Sequence, residues 1–395
     1  MHLAPTAPQL RLRAELRAYF AALMPDGPPD PRDPDAPETQ RRLLRRIGAD
    51  GLLGLGWPEE YGGRGRGPDE QFVFFDEAYR AGAPVSMVTL NTVGPTLMKY
   101  GSERQKEFFL PRILRGELVF AIGYSEPEAG TDLASLRTRA VRDGDGDRDD
   151  WLIDGQKIFT SNAQHADWIW LACRTDPDAA PHRGISIVLV PTDAPGFSWT
   201  PIDTVGGQTT TATYYDAVRV PAGNLVGPEN GGWTLITNQL NHERVALAAI
   251  GMQAEDFYAA ALAAARTPDP VTGRRRIDEP WVRARAAEAH ARLAATRLLN
   301  WRLVGEVGAG RLLPGDASGV KFAGTESAVE VYRICQEIAD DAGLVRAGSP
   351  GTFGDGALER MNRAAQINTF GGGVSEVQRE LVATMRLGMR TRGRR

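Results

Sequence analysis

The hydrophobic period of the chain changes twice, from helical to alternating and back to helical, and no feature limits the fold more. From Gln9 onward Leu12, Leu16, Phe20 and Leu23 recur at helical spacing, and further helical runs cover about 38–49, 70–81, 90–100 and 103–115, split by Gly/Pro turns such as "GWPEEYGGRGRGP". Between about 117 and 225 the pattern becomes short β-rich strings, "WLIDGQKIFT", "DWIWLACR", "GISIVLVP" and "TATYYDAVRV", separated by polar or Gly/Pro turns. After Pro228 long Ala/Leu-rich helices are predicted at about 230–264, 281–309, 318–343, 356–369 and 374–387. The predicted class is α+β: an N-terminal all-helical domain over 1–118, a middle β-barrel or sandwich domain over 119–227, and a C-terminal four-helix bundle over 228–395.

A chain of 395 residues outgrows one core and has room for a buried cleft between domains. Its 46 basic and 50 acidic residues leave a formal charge of -4, which offers no single-sign field for nucleic acid or an anionic membrane. Two basic clusters, "RRLLRR" at 41–46 and the tail "RLGMRTRGRR", read as solvated surface. Cys173 and Cys335 are too few for a disulfide framework and lack metal-ligand spacing, so no metal site is expected. "DGDGDRDD" at 143–150 lacks the closing Glu and flanking helices of a calcium loop and reads as a turn. The N-terminal segment has no signal-type apolar region and no run is long enough to span a bilayer, so a soluble cytoplasmic protein is expected.

Three segments carry the remaining chemistry. In "NQLNHERVALAAIG", 238–251, Glu243 and Arg244 stand against a run that turns apolar within two residues. Glu243 reads either as a solvated helix residue or as a base projecting into an apolar pocket. In "GYSEPEAGTDLASLRT", 123–138, Gly130 allows a close backbone approach while Ser125 and Thr131 offer hydroxyls; the alternative is an ordinary loop leaving a strand. In "INTFGGGVSEVQRE", 367–380, three consecutive glycines are costly inside a helix and mark a bend or a close approach to something flat.

Together, the domain order and the segments "YSEPEAGTD", "DGQKIFTSNAQHAD", the Glu-Arg pair and "GGGVSEVQRE" make the chain resemble the acyl-CoA dehydrogenase family over essentially its whole length. The resemblance implies FAD as cofactor and α,β-dehydrogenation of an acyl-CoA thioester, in which a carboxylate takes the α proton and the β hydrogen leaves as hydride to flavin N5. Most members carry the base in a segment before the final helix, at the position of Gly372 here. A smaller branch supplies it from the first bundle helix, at the position of Glu243, and Arg244 would position that helix and the Glu. The enolate-like charge would be met by a backbone N–H of Glu243, or of its counterpart near 372, together with a ribityl hydroxyl of the flavin. His242 is given no role. By the same resemblance Tyr124 and Ser125 would face the flavin pyrimidine edge, Thr131 a phosphate, Phe159 and Ser161 the ring face and N5 side, and Gly372, Gly373, Val374 and Glu376 the cofactor from the C-terminal bundle. Phe159 stands where the family often has Trp, which keeps the apolar wall and loses a donor.

The departures matter as much as the matches. Where homotetrameric relatives grip a neighbour's pyrophosphate with an Arg-x-x-Phe-Gly segment and then a Gln followed by a Gly-Gly pair, this chain has "RTPDPVTGRRRIDEPW" and "CQEIADDAGL". Glu337 falls at the Gln, Asp340 and Asp341 at the two glycines, and repulsion of the pyrophosphate is expected. The pattern resembles the base-bearing subunit of heteromeric steroid-CoA dehydrogenases. That implies a second dehydrogenase-like subunit in an α2β2 assembly and electron-transfer flavoprotein or a similar acceptor. A steroid or bile-acid side-chain thioester is the favoured substrate, because Gly372 removes volume from the pocket wall. A medium, long or branched aliphatic acyl-CoA, an acyl-CoA oxidase reaction and a catalytically silent partner subunit stay as alternatives. No Gly-x-Ser-x-Gly elbow supports an esterase, and no basic stripe supports a nucleic-acid module.

Overall fold

In the computed structural model the described residues are 5–30, 33–144, 149–239 and 251–389. Helix α1 (Ala7–Leu23) starts where Thr6 and Gln9 close a reciprocal capping box, and the same device, Ser102 with Gln105, starts α5 (Glu103–Leu114). Between them lie α2 (Ala36–Ala49), α3 (Pro68–Ala81) and α4 (Gly94–Tyr100), the last preceded by a π-helical turn at Val88–Val93. Gly94 is required by packing, because a Cβ there would overlap the Trp57 ring, whose indole N–H donates to Leu90 O at 3.0 Å. The π-turn also positions the sheet: Thr89 Oγ1 accepts from Phe120 N at 3.0 Å, where the first strand begins.

Helix α3 is buried along "FVFFDEA", which puts Asp76 and Glu77 inside the protein. Buried carboxylates need partners. Arg13 and Arg17 of α1 reach Glu77, and Arg80 bridges Asp76 to Glu255 and Asp256 of the C-terminal bundle at 2.7–2.8 Å. One ionic cluster therefore ties the N-terminal helices to the bundle.

The middle region is one eight-stranded sheet. Its strands are β1 (Phe120–Gly123), β2 (Arg139–Asp143), β3 (Asp150–Lys157), β4 (Trp168–Arg174), β5 (Ile185–Pro191), β6 (Phe197–Asp203), β7 (Thr209–Val220) and β8 (Leu225–Val226). They run in the order β6-β7-β3-β2-β4-β5-β8, with β1 pairing parallel to β4. The nearly continuous apolar runs of β4 and β5 are buried throughout their middles, as such runs require. The four strings singled out in the sequence fall on β3, β4, β5 and β7.

Beyond a helical stretch at 232–239, the described residues form five helices: α6 (Ala254–Arg266), α7 (Pro280–Gly308), α8 (Pro314–Ala339), α9 (Ala357–Ala365) and α10 (Ser375–Leu381). Ala261, Val282, Ala289, Val331, Tyr332 and Leu358 form the centre of their core. One expectation is corrected here. The run predicted as a single helix over about 230–264 is helical at 232–239 but turns at 251–253, with Gly251 at φ +90° and close to Ala328. Left-handed backbone at Gly251 does not continue into the helix that starts at Ala254, and the Ala/Leu periodicity does not register it. Cys173 and Cys335 are free and buried, and burial pushes both thiols up to about 12. Among the described residues no helix is long and apolar enough to cross a membrane.

Candidate active site

The loop after β1 is stapled to the end of β3. Glu126 accepts from the backbone N–H groups of Arg137 at 2.6 Å and Thr138 at 2.8 Å, and from Lys157 Nζ at 2.8 Å. Lys157 also donates to Tyr124 O at 3.0 Å, and Ile158 N donates to Ser125 O at 2.8 Å. Tyr124 and Ser125 are thereby held beside Phe159 and Ser161, four residues predicted to share a site from two distant segments. Farther along the loop Gly130 and Thr131 are exposed, and nothing lies within 4 Å of where a Gly130 side chain would begin.

Phe159 is the strained member. Its φ is +59°, and the residue is 62% exposed. Left-handed backbone at a bulky residue is uncommon and collects at functional sites. The turn is fixed by Thr160 N donating to Thr211 O at 2.9 Å, and Ser161 Oγ lies 3.1 Å from Thr210 Oγ1. An open cleft beside this turn is lined by Pro37, Arg41, Val85, Asn162 and His165. Burial, with the Arg41 charge behind it, pushes the His165 imidazole below its ordinary range.

The other segment expected at the site is the glycine turn before α10. Gly372 and Gly373 have φ of +67° and +107°, so two of the three glycines occupy backbone that favours glycine. A Cβ on Gly373 would overlap the Gln378 amide, whereas one on Gly372 would meet nothing within 4 Å. Val374 and Glu376 begin α10, with Glu376 exposed. Lys321 of α8 anchors the turn by donating to Gly373 O at 2.6 Å, and burial lowers its pKa. Lys321 was not singled out from the sequence; the available signal was one cation within the apolar string "GVKFAG".

A second missed residue is Gln239, in the quoted "NQLNHER" segment. It is buried, its Oε1 accepts from the Tyr124 hydroxyl, and the Tyr124 oxygen accepts from Trp170 Nε1 at 3.2 Å. Glu243, Arg244 and His242 lie outside the described residues.

Three adjoining family domains match the chain: the acyl-CoA dehydrogenase N-terminal domain over 6–117, the middle domain over 121–218 and the C-terminal domain over 230–386. The chain belongs to the acyl-CoA dehydrogenase family. Acyl-CoA dehydrogenase FadE26 of Mycobacterium tuberculosis is 48% identical across 98% of this chain and 99% of its own length. Among solved structures, the Tcur3481-Tcur3483 steroid ACAD is 52% identical with a TM-score of 0.91, covering 99% of this chain and 100% of that one. The ChsE4-ChsE5 complex from Mycobacterium tuberculosis is 48% identical with a TM-score of 0.90 and covers the same shares. This acyl-CoA dehydrogenase is an FAD-dependent oxidoreductase of the three-part fold. Its residues fit that cofactor: an exposed aromatic face at Phe159, open space at Gly372 and Gly130, and a buried Gln239 amide whose Nε2 has no acceptor among the described residues.

The acidic segment at the end of α8 is internally paired at two of its carboxylates. Glu337 is held by both arms of Arg285, at 2.6 and 2.9 Å, and Asp340 is paired with Arg276. Arg276, Arg285, Arg292 and Arg333 face Glu288, Glu330, Glu337 and Asp340, four cations against four anions. Glu337 and Asp340 thus carry counter-charges, while Asp341 is exposed with no cation beside it among the described residues. Asp340 nonetheless keeps φ +60° and ψ −150°, a backbone conformation that favours glycine.

Proposed function

We propose that this chain is the base-bearing subunit of a heteromeric acyl-CoA dehydrogenase acting on a bulky, ring-bearing acyl-CoA thioester of the steroid side-chain type. The observation that carries the substrate class is Gly372. No carboxylate stands there, and open space surrounds the position, so the pocket wall is relieved of a side chain. Likeness to the Tcur3481-Tcur3483 steroid ACAD over nearly the whole chain supports the same reading.

Glu243 is the proposed α-proton base, because the alternative family position is a glycine. Bound FAD supplies the acceptor for the β hydrogen, which leaves as hydride, and the product is the α,β-unsaturated thioester. Tyr124, Ser125, Phe159, Ser161, Gly372, Gly373, Val374 and Glu376 hold the flavin, Thr131 faces a phosphate, and Arg244 positions the base. Changing Glu243→Gln in the assembled enzyme is expected to preserve FAD content while lowering the rate of flavin reduction about 10²–10⁴-fold, the range for a general base. Flavin reduction at the parent rate would reject Glu243.

The partner is a second acyl-CoA dehydrogenase-like chain, and electron-transfer flavoprotein is the proposed acceptor. Engagement of Arg276 and Arg285 within this chain supports FAD binding at only one kind of subunit junction. An α2β2 assembly would then hold about half a flavin per chain. Native mass spectrometry of the co-expressed pair tests this. One FAD per chain in an active homotetramer would reject the heteromeric reading.

A further inference from the structure

The Gln239 side chain is buried among the most enclosed polar groups of the protein, at 2% exposure. An indole N–H can only donate, so the Tyr124 oxygen accepts from Trp170, and the hydroxyl proton is directed at Gln239 Oε1. Hydrogen bonds thus run from Trp170 to Tyr124 and from Tyr124 to Gln239 Oε1, which leaves the other end of the amide, Nε2. This nitrogen is buried and has no acceptor among the described residues. Buried donors are almost always paired, and an exception calls for a physical reason.

Position supplies the reason. Tyr124 opens the loop that Glu126 and Lys157 hold against the Phe159 turn, and Gln239 lies four residues before Glu243 in sequence. The donor stands where the β domain's candidate flavin loop meets the helical stretch leading to the proposed base. We infer that Gln239 Nε2 donates a hydrogen bond to a carbonyl oxygen of the bound ligand, with Tyr124 and Trp170 as positioning residues. A neutral amide donor suits a neutral carbonyl acceptor. Two sources share this chemistry, the pyrimidine carbonyls of the flavin ring and a carbonyl of the acyl thioester. The inference rests on the functional reading above.

The test uses the enzyme co-expressed with its dehydrogenase-like partner and compares the parent with Gln239→Met, Gln239→Glu and Tyr124→Phe. FAD-to-chain ratio, flavin absorption spectrum and midpoint potential are read without substrate; kcat and KM are then read with a steroid-CoA ester. Loss of one neutral hydrogen bond is expected to weaken the affected step roughly fivefold to tenfold in Gln239→Met. If the flavin is the acceptor, the spectrum or potential shifts before any substrate is added. If the thioester is the acceptor, those stay at parent values and kcat/KM falls. Gln239→Glu keeps an acceptor for Tyr124 and sets a second acceptor against the ligand, so its effect should exceed that of Gln239→Met, while Tyr124→Phe should fall short of it. Parent values for every readout in Gln239→Met overturn the inference; should that variant not assemble, parent values in Gln239→Glu and Tyr124→Phe overturn it. A parent complex that holds FAD but is bleached by no acyl-CoA would defeat the functional reading instead, and the substrate-free readouts would still decide the role of Gln239.

Discussion

Lys157 Nζ lies 2.8 Å from Glu126 Oε1, and both side chains are buried where the loop carrying Tyr124 meets the strand leading to Phe159. Removing one member of such a pair strands a buried charge and costs about 3–5 kcal/mol, while replacing both can be nearly neutral. Lys157→Met is therefore expected to lose roughly that much stability in urea unfolding, together with much of its FAD. The Lys157→Met/Glu126→Gln double variant should recover part of the stability, although Arg137 and Thr138 keep only a weaker acceptor. Equal stability of the parent and both variants would remove the pair from its role as the staple of the loop.

The same pair sets an acid limit. Burial by itself would raise the Glu126 carboxyl, but the Lys157 charge and the hydrogen bonds from Lys157 and Thr138 outweigh it and hold it below the usual glutamate range. A depressed folded pKa contributes stability that is present above the unfolded value, about 4.3, and is lost as pH falls through the folded one. Unfolding free energy should thus decline as pH drops below about 4.3. Glu126→Gln should flatten that part of the profile, and an unchanged slope would exclude Glu126 as its source.

Phe159 tests whether strain and function coincide. Its φ of +59° disfavours a bulky residue and is acceptable to glycine. The residue is mostly exposed, so folding gains little from it. Phe159→Gly is expected to leave thermal stability of the FAD-free protein within about 1 kcal/mol of the parent, while weakening FAD retention in the assembled enzyme. Isothermal titration with FAD separates the two effects. A large stability loss with unchanged FAD binding would make Phe159 structural.

How much of this was legible in the sequence follows from the range of the interactions. The order helices, sheet, helices is local in origin: β4 and β5 announce themselves as apolar runs, and Thr6 with Gln9 or Ser102 with Gln105 mark helix starts three residues apart. The clustering of Tyr124 and Ser125 with Phe159 and Ser161 came through family resemblance, since the staple between them joins residues 31 positions apart. Gln239 and Lys321 were missed because each draws its meaning from a distant partner, 115 positions away for Tyr124 and 52 for Gly373. For the same reason "ADD" read as bare acid: Arg276 and Arg285 sit 64 and 52 positions from Asp340 and Glu337.

Those pairs make a prediction of their own. Asp340 occupies glycine-type backbone and is joined to Arg276 on the surface, where an ion pair contributes only about 0–1 kcal/mol. Relief of the backbone strain is worth about 1–3 kcal/mol. Asp340→Gly should therefore raise stability slightly in a thermal melt and remove the ionic partner of Arg276, which keeps its bonds to Ile338 O and Glu337 O. If engagement of Arg276 is what closes this face to a pyrophosphate, Asp340→Gly combined with Glu337→Gln should raise the FAD content of the co-expressed assembly above that of the parent. An unchanged FAD-to-chain ratio, with the melt shifted as expected, would place the obstacle in the missing Arg-x-x-Phe-Gly segment instead.

Gly372 separates the proposed ring-bearing substrate from a straight-chain one. The φ of +67° makes a side chain there cost about 1–2 kcal/mol in backbone strain, but nothing within 4 Å obstructs its Cβ. Gly372→Glu is therefore expected to fold and to project its volume into the space that the proposed acyl group fills. A pocket discriminates by roughly 1–3 kcal/mol per methylene-sized change, or about 10–200-fold. The variant should thus lose at least about tenfold more kcat/KM with a steroid-CoA ester than with a short straight-chain acyl-CoA. Measured in the co-expressed complex, parallel losses for the two substrates would mean that position 372 does not bound the acyl pocket, and the substrate class proposed from it would fall.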